Sequence, residues 1–306
     1  MPSNVPFSDP RAYVDRSTYI TPDGVEYMLS SPLFVLQEDG WGMPPVEYVT
    51  ERGPFQHGET VKDFFLRPRT LQLIVRRSGC SRSEYWDIRA KLLDILRPGR
   101  GLASTPPSPG ILRKYLANGA VRELFVYTSE GPGFPGRTDD SWDQWSIQDV
   151  IRFTAYDPIA RDPKPVSVTF QTTGVTGTFP LTFAWTSSPG SGGSQTINYV
   201  GTFLALPTIF ITGPIISPLI TNITTGEKIQ LTFSLNAAEY ATIDLSYGNK
   251  TVVKNDGTNL IGYVSSDSDL ATFHLTTGGN VLQVTAGGTS IASNILLTWY
   301  NRYIGA

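Results

Sequence analysis

A chain of 306 residues, 40% hydrophobic and 17% charged, is long enough for two domains that each bury a core. Its net charge of −3 gives no general attraction to phosphate backbones or anionic lipid, which argues against sequence-specific nucleic-acid binding. No run approaches the roughly 20 apolar residues of a membrane-spanning helix, no basic segment followed by an apolar run marks a secretory signal, and the lone Cys80 cannot form an internal disulfide, so folding in a reducing cytoplasm is expected.

The charged fraction lies below the roughly 25% of ordinary globular chains, and 29 Gly and 23 Pro imply many turns between short strands. The opening MPSNVPFSDP reads as an irregular lead-in. YVDRSTYIT (13–21), VEYMLS (25–30) and PLFVLQEDG (32–40) are β-prone runs separated by Pro22-Asp23-Gly24 and Ser30-Ser31-Pro32. In VKDFFLRPRTLQLIVRRSG (61–79), Leu71, Leu73 and Val75 alternate as in a half-buried strand, while Pro68 makes the first half an edge or a bulge. The spacing then predicts one helix, at about residues 82–97. Ser81 and Glu84 form a capping-box pattern at its start, and Pro98-Gly99 stops it. Tyr85, Ile88, Leu92 and Leu96 share one face with Ile95 beside it, and charged residues cover the other. ILRKYL (111–116) and RELFVYT (122–128) read as a hairpin around Asn118-Gly119. Residues 130–140 are a loop by composition, and the role of the 130–145 region stays open. WSIQDVIRFTAYDP (145–158) is another strand, with Ile147, Val150 and Phe153 among its apolar positions. ARDPKP (160–165) separates a first domain, 1–162, from a second, 163–306.

The second domain reads as all β. Charges thin out, Thr and Ser multiply, and SVTF, GTFPLTFAW, TIFITG, KIQLTFSL, YATIDLSYG, ATFHLTTG and NVLQVTAGG recur at the spacing of a sandwich of eight to ten strands. Gly226 and Gly248 stand where the chain should turn.

No catalytic or cofactor-binding constellation assembles. A hydrolytic triad needs a His beside a nucleophile, and His57 and His274 have no such companion in sequence. Asp139, Asp140 and Asp143, with Trp142 and Trp145, could mimic a glycosidase site, but an acidic loop rim is the commoner meaning of such a pattern. Asp267 and Asp269 lack the remaining ligands of a calcium loop and read as a turn, so no metal site is expected. Arg67 with Arg69, and Arg76-Arg77 with Arg82, suit a subunit contact or a solvated edge better than a nucleic-acid groove. Trp185, Trp299, Tyr199 and Tyr300 are the candidate rings for stacking on a glycan.

Several segments resemble, in order, the siphophage distal tail protein family: RTLQLIVRRSG leading into SEYWDIRAKLLDILRPG, then WSIQDVIRFTAYDP, NYVGTFLALPTIFITGPIISPLITNITTGEKIQL, TIDLSYGNKTV and LLTWYNRYIGA. The resemblance implies a mainly β fold: an N-terminal β-rich ring domain with one amphipathic α-helix, then a C-terminal galectin-like β-sandwich. It implies no enzyme and no cofactor. It also implies a virion component at the distal end of the tail, assembled in the host cytoplasm. A homo-hexameric ring would join the tail tube protein to the tail hub or tail-associated lysin, near the tape measure protein and receptor-binding proteins. Phe64, Phe65 and Arg67 are the positions expected at the contact between copies. The alternative is a carbohydrate-binding tail-tip module acting through Trp185 and Trp299.

Overall fold

The structure, a computed structural model, describes residues 16–28, 33–78, 82–100, 106–133, 146–171, 193–290 and 292–306. The chain divides into two compact units, Met1–Pro163 with Tyr303–Ala306, and Lys164–Arg302. It is mainly β, with one α-helix among the described residues, and no helix there is long and apolar enough to cross a membrane.

In the first unit the elements run β1 (Arg16–Ile20), β2 (Glu26–Met28), β3 (Leu33–Asp39), β4 (Val46–Glu51), β5 (Thr60–Leu66), β6 (Arg69–Ser78), α1 (Arg82–Leu96), β7 (Gly110–Tyr115), β8 (Val121–Glu130), β9 (Ser146–Ala155) and β10 (Ala160–Arg161). The main sheet has the order β2-β1-β7-β8-β9-β6-β3, with β10 beside β8. Leu71, Leu73 and Val75 of β6 are buried as their alternation requires, and Leu92, Ile95 and Leu96 of α1 pack into the same core. In β9 the buried positions include Asp149, Ile151, Phe153 and Ala155, so Val150 lies on the other face of the strand from Phe153. The capping residue Ser81 and the side chain of Tyr85 fall outside the described residues. The β7–β8 hairpin closes through Leu116 N–H to Ala120 O at 2.8 Å, with Gly119 at φ +82°. That left-handed backbone is why glycine follows Asn118.

A buried cation ties this unit together. Arg69, expected at a subunit contact or solvated edge, is instead 1% exposed: its Nη1 donates to Gly40 O at 3.2 Å and Gly42 O at 3.0 Å, and its Nη2 donates to Ile304 O. Burial pulls its pKa down to about 10, and Asp157 opposes that shift. Ala306 N–H donates to Trp41 O at 2.9 Å, so the last residues of the chain are fixed to the same loop. Gly40 has φ +94°, and a Cβ there would collide with Thr70 O, so the loop can approach β6 only with glycine at this point.

The second unit contains β11 (Val166–Gln171), β12 (Ser194–Tyr199), β13 (Thr208–Thr212), β14 (Ile215–Asn222), β15 (Glu227–Gln230), β16 (Ser234–Leu235), β17 (Tyr240–Asp244), β18 (Thr251–Lys254), β19 (Gly278–Gly287) and β20 (Asn294–Trp299). They form two antiparallel sheets, β11-β20-β13-β17-β18 and β12-β19-β14-β15, with β16 beside β14. Ile209, Ile211, Ile243, Ile295 and Leu297 of the first sheet share one core with Ile220, Ile229, Leu282 and Val284 of the second.

Two expected strands differ here. KIQLTFSL is broken between β15 and β16, where Leu231 bridges to Val264 instead. ATFHLTTG is irregular apart from a bridge between Leu275 and Ala205. Side chains occupy the groups that a ladder would use: Asn222 Nδ2 donates to His274 O at 2.9 Å, Asn280 Nδ2 donates to Thr276 O at 2.7 Å, and Asn280 Oδ1 accepts from Thr276 N–H at 3.0 Å. GTFPLTFAW lies outside the described residues.

Candidate assembly surface

Pro68 has no N–H to give a ladder, and β5 ends two residues before it. Among the described residues β5 pairs only with β4, in a separate two-stranded ribbon whose base is closed by Arg67 N–H donating to Pro45 O at 2.8 Å. VEYVTE, not read as a strand from sequence, supplies the partner.

The register sorts the ribbon into two unlike faces. Val46 lies opposite Leu66, Tyr48 opposite Phe64, and Thr50 opposite Val61. A bulge between Val49 and Thr50 leaves Lys62 as the extra residue, which returns Val61 to the face of Phe64 although the two are three residues apart. Tyr48, Val61 and Phe64 on this face are 60%, 59% and 55% exposed. The opposite face pairs Glu47 with Phe65, Val49 with Asp63 and Glu51 with Thr60. Its charges are matched locally: Arg67 meets Glu47, and Lys62 Nζ lies 2.9 Å from Glu51 Oε2. These exposed ion pairs add little stability but keep that face wet.

Of the three residues expected at a contact between copies, Phe64 is on the apolar face, while Phe65 and Arg67 are on the charged one. Sequence reasoning missed Tyr48 and Val61. The alternation in VEYVT could have indicated the first, but the second depends on the bulge. Phe55, at the tip between the strands, is fully exposed. His57 is also exposed there.

The other candidates are placed as follows. Trp299, expected as a glycan platform, is 3% exposed in the sandwich core and offers no ring face to a sugar. Tyr199 is likewise buried, its hydroxyl donating to Phe203 O and accepting from Arg302 N–H at 2.9 Å. Tyr300 is half-buried. Trp185, Asp139, Asp140, Asp143, Trp142 and Trp145, and the side chains of Arg76, Arg77 and Arg82, lie outside the described residues. His274 Nδ1 sits 2.8 Å from Thr272 O and 3.1 Å from Glu227 Oε2. Asp267 pairs with Lys228 and Ser265, and Asp269 Oδ2 accepts from Lys228 N–H at 2.9 Å. Ser268 N–H donates to Ser265 O at 3.0 Å, which makes the segment a turn. No group of three or more metal-ligating side chains occurs among the described residues.

Among the described residues, a β-rich unit with one α-helix and a separate two-stranded ribbon, followed by a two-sheet sandwich, defines a mainly β protein with an exposed apolar face on a strand pair. Residues 200–303 match the family described as siphovirus-type tail component, C-terminal domain. In fold, the chain is similar to the Dit (gp 19.1) protein of phage SPP1, with TM-score 0.64 and 13% identity over 94% of this chain and 99% of that one. A chain of the phage p2 baseplate in its activated conformation matches with TM-score 0.47 and 9% identity over 93% of this chain and 98% of that one. No curated protein sequence matches significantly. The resemblance to siphophage distal tail proteins therefore stands on a family match in the second unit and a shared fold across the chain.

Proposed function

We propose that this chain is a structural, non-enzymatic subunit of the distal end of a siphophage tail. Copies of the first unit close into a hexameric ring, and the galectin-like second unit carries the neighbouring tip components. The ring joins the tail tube protein to the tail hub or tail-associated lysin, beside the tape measure protein and receptor-binding proteins. The chain folds in the host cytoplasm and ends in the virion.

The observation that carries this reading is the β4–β5 ribbon. An isolated two-stranded hairpin is marginal in water, and this one turns Tyr48, Val61 and Phe64 outward on one face. Covering that face with the next copy buries it. With the ribbon face of one copy on a different patch of the next, repetition with a closing rotation gives a ring rather than a pair. A net charge of −3 suits a passage that lets DNA through without holding it.

Light scattering and negative-stain microscopy of the purified protein test the reading. Rings are expected, either alone or after adding tube or hub protein; a chain that stays monomeric with all of these overturns it.

A further inference from the structure

The tip of the ribbon breaks a local rule. Gln56 N–H donates to Gly53 O at 3.2 Å, closing a turn over Gly53-Pro54-Phe55-Gln56. Pro54 sits at the second position, which its fixed φ suits, and the third position has φ +62°. A turn of this pattern favours glycine there, yet the residue is Phe55. A bulky side chain in left-handed backbone is strained, and this one is also fully exposed, so no packing of the ring offsets the strain.

The turn is nevertheless held firmly. Gly53 N–H donates to Gln56 Oε1 at 2.9 Å, Gln56 Nε2 donates to Thr60 Oγ1 at 2.9 Å, and Arg52 Nε donates to Gln56 O at 3.2 Å. Gln56 thus serves as the internal brace of the tip, while Phe55 projects the large apolar side chain of the turn into solvent. Strain that persists under such bracing marks a position kept for contact. A pre-aimed aromatic ring loses little entropy on docking, which is what a binding anchor needs.

We infer that Phe55 is the anchor of the ribbon, inserting into an apolar recess on a neighbouring copy of this chain. The occupant follows from continuity. The ribbon rises about 20 Å over its six-residue strand, with its apolar face along its length and Phe55 at its end. The body that covers the face is the one the tip reaches, and this inference therefore rests on the ring reading above.

Replacing Phe55 separates anchoring from folding, because the strain relief and the loss of the ring act in opposite directions. Phe55→Gly suits the turn and Phe55→Asn tolerates it. Measured at a dilution where the protein is monomeric, both should show a melting temperature equal to or above that of the wild type. In mass photometry both should assemble at least tenfold less well, and Phe55→Leu should recover most of the assembly. If Phe55→Gly assembles like the wild type, the anchor is disproved and the ring reading survives. If the wild type itself never oligomerises, alone or with tube and hub proteins, both fall.

Discussion

The β4–β5 ribbon and the second-unit sandwich are built on the same two-residue alternation, with opposite results. In the sandwich, the inward rows of two sheets cover each other, and Ile209, Ile243, Ile220 and Val284 are fully buried. In the ribbon the same alternation yields a row of Tyr48, Phe64 and Val61 facing outward, because among the described residues no second sheet lies over it. Alternation specifies which side chains share a face; whether that face is core or contact depends on what the topology places above it. Substitutions therefore report differently in the two regions, and a stability scale separates them.

The largest loss of folding stability should come from the sandwich. Phe273 is fully buried, and Phe273→Ala removes a ring whose cavity the packed sheets cannot close, at about 3–5 kcal/mol in denaturant unfolding. Next is Arg69→Leu in the first unit, which leaves Gly40 O, Gly42 O and Ile304 O without their donor. Its cost should be about 2–4 kcal/mol, and hydrogen exchange should show residues 303–306 losing protection. A loss below 1 kcal/mol for Phe273→Ala would mean that the sandwich is no better packed than the ribbon.

The parts of this contrast that could be read from sequence are those fixed by local chemistry. The helix stop at Pro98-Gly99, the turn at Asn118-Gly119 and the alternation of Leu71, Leu73 and Val75 each follow from the conformation of one or a few residues. Non-local facts were hidden. Trp299 looks the same in sequence whether it lies on the inner or outer row of β20, and the second sheet that shares its core decides the matter. Arg69 lies two residues from the exposed Arg67, yet its three carbonyl acceptors come from residues 40, 42 and 304. The apolar face of the ribbon needed both a strand partner and a one-residue bulge, and neither has a composition signature.

A smaller, pH-dependent effect is expected on the surface of the sandwich unit. The hydrogen bond from Lys228, reinforced by Ser265, holds the Asp267 carboxyl down to about 2, below its ordinary value near 3.8. A group whose folded pKa is depressed adds stability above its unfolded pKa and loses it as pH falls towards the folded one. The window therefore runs from about pH 4 down to about pH 2. Since Asp267 is exposed, the contribution is small and screened by salt. The melting temperature of Asp267→Asn should fall slightly below the wild type at pH 6, and the two curves should converge near pH 2; a constant offset would assign the difference to something other than this carboxylate.

The ribbon should give the smallest change in stability together with a large change in assembly. Tyr48 and Phe64 stand opposite each other in the strand pair and are each more than half exposed, so Tyr48→Ser with Phe64→Ser should alter unfolding by less than about 1 kcal/mol. If the face is a contact, the same double variant assembles at least tenfold less well, since two aromatic anchors near the centre of an interface dominate its energy. Glu47→Gln, on the opposite face, releases only an exposed pair with Arg67 and should leave both measurements nearly unchanged. The two outcomes break the comparison in different ways. A fall of 3 kcal/mol for the double variant would make the ribbon a core element like the sandwich sheets, whereas unchanged assembly would leave its apolar face without a partner.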